Sequence, residues 1–200
     1  MSRGGTHSST PLRPPAGPPA ERVRGNSGGV GRSSSDEAER VSDDLRRRTS
    51  PHLRHRRRQT ALMLGATAAM GVVALYQTGL VRHLPDPPLP GFDSDRVDAS
   101  GEAYETLKTP DATLGIASYG ATLALVGMGG AERAASRPWI PLLAAAKLAY
   151  DGAGAAWLTA EQITKHRALC FYCLLASAAT WGALAQAVPE ARSALRTLRE

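Results

Sequence analysis

Between Ala61 and about Leu80 the chain reads ALMLGATAAMGVVALYQTGL, without one charged residue. A helix of that length rises about 30 Å, the thickness of a bilayer's hydrocarbon core. Arg46, Arg47, Arg48, Arg54, Arg56, Arg57 and Arg58 stand directly in front of it. Basic residues close to a span stay on the cytoplasmic side, so this cluster orients the first helix outward. Three further apolar segments follow, at about Thr113–Gly130, Pro138–Ala160 and Ala168–Val188. Arg133 and Arg137 sit between the second and third, and Arg192, Arg196 and Arg199 close the chain. Four crossings with both termini inside agree with every basic cluster except Lys165 and Arg167. A soluble four-helix bundle would need a polar face on each helix, and the first, second and fourth segments have none.

The averages of composition conceal this division. The formal charge is +6, and thirteen of the 24 basic residues, all Arg, precede residue 60. The first 50 residues combine Pro11, Pro14, Pro15, Pro18 and Pro19 with Gly and Ser runs and almost no aliphatic side chains. Such a segment cannot bury enough apolar surface to offset the entropy of ordering. The expected organisation is a disordered basic cytoplasmic tail over 1–58, a membrane domain over 59–189 and a short cytoplasmic tail over 190–200. The fold class is all-α, a four-helix transmembrane bundle behind a disordered tail. No apolar stretch follows Met1 closely enough for a secretory signal peptide. The apolar run right behind the Arg cluster favours membrane lipid over nucleic acid as its partner. The loop over 82–110 is broken by Pro85, Pro87, Pro88 and Pro90 and carries six acids.

Cys170-Phe171-Tyr172-Cys173 opens the fourth segment and contains the chain's only two cysteines. Residues at i and i+3 share a helix face, within reach of a disulfide. A helix N-terminus, with Lys165, His166 and Arg167 before it, would stabilise a thiolate. The competing reading is a pair of ordinary buried cysteines. A zinc site would need two more soft ligands, and only His166 is near, so no metal is expected. Lys147 and Asp151 lie four apart in the third segment, where ionisable groups are costly. They form either a self-neutralising pair or a hydrogen-bond donor set facing a ligand. Gly65, Gly71, Gly115, Gly120, Gly127, Gly152 and Gly154 suggest close helix packing. Trp139, Trp157, Tyr76 and Tyr104 fall near segment ends, as interfacial aromatics do. Trp181 lies deep in the fourth segment, against either lipid or a ligand ring.

The order of these features resembles the vitamin K epoxide reductase family: four spans, a polar loop after the first, and C-x-x-C opening the fourth. Thr109-Pro110, followed by Leu114-Gly115-Ile116-Ala117-Ser118-Tyr119-Gly120, is similar to the family's Ser/Thr-Pro and LGIPxxxYG stretch. The likeness covers about residues 60–188. It implies an inner-membrane thiol-disulfide oxidoreductase that passes electrons from thiols to a membrane quinone of ubiquinone or menaquinone type. Cys173 would face the quinone and Cys170 would be its partner. Tyr119, Lys147 and Asp151 would be the quinone-binding residues, and an extracytoplasmic thioredoxin-fold protein the thiol donor. Two departures stand out. The loop after the first span lacks the family's second cysteine pair, with Ala103 and residues near Asp95 in its place, and Ala117 replaces the Pro of LGIP. A thiol relay cannot run through Asp and Ala, so the donor must reach Cys170 directly. Otherwise the chain is a non-catalytic membrane scaffold of this family, or a membrane-anchored adaptor whose Arg-rich tail is the working part.

Overall fold

The structure, a computed structural model, describes residues 35–200. Among them all regular structure is helical: α1 (Asp36–Arg47), α2 (Pro51–Gln77), α3 (Ser94–Asp98), α4 (Asp111–Gly127), α5 (Arg133–Ser136), α6 (Trp139–Glu161) and α7 (Phe171–Thr197). Two 3-10 turns, Gly101–Tyr104 and Thr106–Lys108, precede α4, and a π-helical turn, Gln162–His166, ends α6. The four long helices pack as a bundle, with α7 lying against both α2 and α6, and α4 against α2 and α6.

α2 begins about ten residues ahead of the apolar run. Ser50 caps it by accepting from the Leu53 amide at 3.2 Å, and Pro51 fills the first turn, where its missing N–H does no harm. Arg is a good helix former, so the basic cluster continues the helix backward. α1 likewise starts on a Ser35 cap. Residues 36–47 and 51–58 are therefore helical, which corrects the boundary of the disordered tail expected to reach residue 58. The rest of that expectation, residues 1–34, lies outside the described residues.

The C-terminal boundary moves as well. Pro189 was expected to end the fourth span, yet α7 continues through it to Thr197. Tertiary contact outweighs the lost backbone bond here, because Ala187, Glu190 and Ala194 are all buried on the continuing face.

α2 and α7 are each long and apolar enough to cross a bilayer. α4, at 17 residues, sits at the short end of the spanning range, and α6 carries Lys147 and Asp151 within its 23 residues. The outward faces are apolar: Leu64, Leu143, Trp157, Leu175 and Trp181 are all exposed. The main core gathers Met63, Ala66, Tyr119, Leu148, Ala176 and Ala183. Alanine, more than glycine, sets the helix spacing. Gly152 does face the Trp181 ring, 3.5 Å from where a Cβ would stand. Gly65, Gly71, Gly120, Gly127 and Gly154, expected as packing sites, have open space around them.

The end of the bundle where α4 stops is held by two arginines. Arg56 donates to the carbonyls of Val126, Gly127, Met128, Gly129 and Gly130 at 2.9–3.2 Å. Arg133 donates to Leu125, Val126 and Met128 carbonyls and pairs bidentately with Glu190 at 2.9 and 2.7 Å. The last carbonyls of a helix lack partners and carry partial negative charge, so guanidinium forks suit them. Gly129, at φ +79, bends the chain so that these carbonyls converge. α1 docks nearby, with Asp44 accepting from the Ala131 amide and Arg48 paired with Glu132.

Candidate functional site

At the other end of the bundle the polar loop folds over the start of α7. Phe92 and Leu169 form an isolated parallel bridge, in which the Leu169 amide donates to Gly91 and the Asp93 amide to Leu169. The Ser94 hydroxyl accepts from the Phe171 amide at 3.1 Å and is itself held by Asp86 at 2.5 Å. The Tyr172 hydroxyl donates to the Pro85 carbonyl. These contacts bring α3 against the cysteines.

Cys170 is the N-cap of α7, and its sulfur accepts from the Cys173 amide at 3.2 Å. Its own amide donates to Gln162 Oε1 at 2.9 Å. Both cysteines are reduced, Cys170 fully buried and Cys173 partly so. Cys170 thus lies buried beneath the loop, and Cys173 is the more accessible of the two residues.

The third member of the cluster is Asp98, at the end of α3. The Cys173 thiol donates to its Oδ1 at 3.5 Å, and one donor atom from each of Asp98, Cys170 and Cys173 lies within 4.8 Å of the others. No fourth donor joins them among the described residues, which leaves the cluster short of a closed zinc site. Asp98 is 3 % exposed, and its Oδ2 has no hydrogen-bond partner among the described residues. Burial raises its pKa to about 6. Hydrogen bonds from Cys170 and Cys173 pull the other way, and the nearby Asp111 and Asp86 add to the rise. Gln77 fixes the position from α2: its Nε2 donates to the Asp98 carbonyl and to Asp111, and its Oε1 accepts from the Ala112 amide.

The basic residues before the cysteines do not act as expected. Lys165 pairs with Glu161 and Glu102, His166 with Glu102, and Arg167 is exposed in a left-handed turn at φ 51. The Lys165 and His166 side chains are directed to the carboxylates of Glu102 and Glu161, while the Asp98 carboxyl group stands beside the sulfurs.

A cavity of about 130 Å³ opens against Cys173. Met70, Val97, Gly115 and Ala176 give it apolar walls, with Asp98 and Tyr119 among its polar groups. An engineered apolar cavity of about 150 Å³ takes up benzene, so this space suits one ring with polar groups at its edge. Tyr119 is brought to this cavity, its hydroxyl 3.4 Å from that of Thr180. Lys147 and Asp151 are not among its lining residues. They form a separate buried knot, in which Lys147 Nζ lies 2.5 Å from Asp151 and both bond Ser118 and Thr122. Trp181 packs on Gly152 and is half exposed, outside the cavity lining. Asp98 was hidden among six loop acids, and its only sequence signal is its place three residues after Asp95, close to where the family's loop cysteines would lie.

The structure thus presents four long helices packed as a bundle, with Cys170 capping the last of them and Cys173 in its first turn, under a folded loop. Residues 56–188 match the Vitamin K epoxide reductase family, and the chain belongs to it. No curated protein and no solved structure matches the chain. Members of this family are membrane-associated oxidoreductases.

Proposed function

We propose that the protein is a four-pass membrane thiol oxidoreductase in which Cys170 and Cys173 pass two electrons to a membrane quinone. The carrying observation is the juxtaposition of Cys173 with a ring-sized apolar cavity that also contains Tyr119 and Asp98. The dithiol gives up two electrons and two protons to become a disulfide, and both pass to the quinone to give the hydroquinone. Cys173 is the reacting thiol and Cys170 the resolving one. The Cys170 amide bond to Gln162 and the cap bond from Cys173 hold the two sulfurs on one turn.

Both termini lie on the cytoplasmic side, and the cysteines on the other. The arginine-locked end of the bundle then faces the cytoplasm, in line with the distribution of basic residues. The quinone is of the ubiquinone or menaquinone type. Because Cys170 is covered and the loop carries no relay cysteines, the reductant enters at Cys173. A small thiol, or a flexible segment of an extracytoplasmic thioredoxin-fold protein, meets that requirement.

Hydroquinone formation by the purified full chain, supplied with a dithiol and a short-chain ubiquinone analogue, tests the reading. Activity is expected to vanish in Cys173→Ala and to survive removal of residues 1–34, which leaves α1 in place. Activity that persists in Cys173→Ala would reject the cysteine pair as the redox centre.

A further inference from the structure

We propose that Asp98 is the catalytic acid–base of this site, taking the protons of Cys173 and Cys170 and passing them to the electron acceptor in the cavity. This inference rests on the oxidoreductase reading above. The geometry puts Asp98 against both the dithiol and the cavity. Oδ1 receives the Cys173 thiol at 3.5 Å, while Oδ2 is buried and unpartnered among the described residues, in a side chain that lines the cavity. An unpaired buried carboxyl oxygen costs free energy.

Glu102, Asp111, Glu161 and His166 also line the cavity, but none of them has a hydrogen bond to either sulfur. Asp111 is engaged by Gln77 at 2.7 Å, and Asp86 holds Ser94. His166 is paired with Glu102, and Glu161 with Lys165. Tyr76 gives its hydroxyl to the Asp95 carbonyl, and Tyr119 lies on the cavity wall beside Thr180. Among the described residues, Asp98 is the ionisable group with a hydrogen bond to either sulfur besides the cysteines themselves. Its raised pKa, about 6, lets it both accept and release a proton near neutral pH.

The step balances as follows. The Cys173 S–H bond breaks and its proton moves to the Asp98 carboxylate, then from Asp98 to a quinone oxygen. Cys170 loses its proton by the same route as the Cys170–Cys173 S–S bond forms. Two electrons and two protons leave the dithiol, the quinone becomes hydroquinone, and Asp98 ends as the carboxylate it began.

The experiment follows the rate at which a short-chain ubiquinone analogue oxidises the Cys170–Cys173 pair of the full chain, by thiol alkylation, across about pH 5 to 8. The wild-type rate should rise with pH up to about 6 and then level, since the carboxylate is the form that accepts a proton. Asp98→Asn should be slower by about 10²–10⁴-fold and lose that inflection, and Asp98→Glu should recover part of the rate and keep it. Oxidation of Asp98→Asn by diamide, which needs no cavity acid, should proceed and shows that the dithiol is intact. Asp98→Asn with the wild-type rate and profile overturns the inference and leaves the oxidoreductase reading standing. A wild type that oxidises without an inflection near pH 6 overturns it too, even if the variants fail to fold. A wild-type pair inert to the quinone overturns both.

Discussion

Replacing Asp98 by asparagine should change how stability depends on pH, by an amount that follows from the carboxyl's burial. Its pKa is about 6 in the folded protein against an ordinary 3.8. At about 1.4 kcal/mol for each pK unit, the folded state carries a penalty of about 3 kcal/mol once the group is ionised. Below pH 3.8 the carboxyl is protonated whether the chain is folded or not, and nothing is lost. Between 3.8 and 6 the folded protein keeps a proton that the unfolded chain has released, so stability falls as pH rises. Above 6 the loss is complete. An asparagine at this position has no charge to bury, so the stability of Asp98→Asn relative to wild type should improve by about 3 kcal/mol between about pH 3 and pH 7. The fixed cost of placing an amide beside the cavity is the same at every pH and drops out of the comparison. Denaturant unfolding of both proteins in mixed micelles, followed by tryptophan fluorescence, reads the difference. A gap that does not change with pH, or that moves in the opposite direction as pH rises, would refute the reasoning.

Arg133→Met should cost about 3–5 kcal/mol, because Glu190 is left charged and fully buried, and Arg133→Met with Glu190→Leu should recover much of that in the same unfolding assay. Lys147→Met should likewise destabilise more than the double change Lys147→Met with Asp151→Leu, since the single change strands Asp151 among Ser118 and Thr122. Gly129→Ala should lose about 1–2 kcal/mol, as the position needs φ +79 and a new Cβ would stand 3.2 Å from that of Arg133; a neutral effect on the unfolding midpoint would show that the turn can relax.

The long apolar runs and the C-x-x-C pair could be read from the sequence because each is local: a helix and its cap are decided by residues within a few positions of one another. The start of α2 was equally local, in Ser50-Pro51, but the arginines after it read as a solvated tail and hid the signal. Pro189 misled for the opposite reason, since the residues that carry α7 past it bury themselves against distant partners such as Arg133. Arg56 and Arg133 were visible as positive charge near spans, yet nothing in the sequence says that they collect the carbonyls at the end of α4. Asp98 depends on the longest reach of all. It meets Cys173, 75 positions away, only because the bridge between Phe92 and Leu169 lays the loop across the mouth of the bundle. The spacing of Lys147 and Asp151 left a self-neutralising pair and a ligand-facing donor set both open, and the serine and threonine of α4 that complete their knot are one turn of helix apart and carry no pattern of their own.

The most direct test of the central claim is the redox state of Cys170 and Cys173 in isolated membranes, read by thiol alkylation with and without an added ubiquinone analogue. Conversion of the pair from dithiol to disulfide by the quinone is the expected result. A pair that stays reduced at every quinone concentration would contradict it, and would make the cysteine cap a structural element of a membrane scaffold.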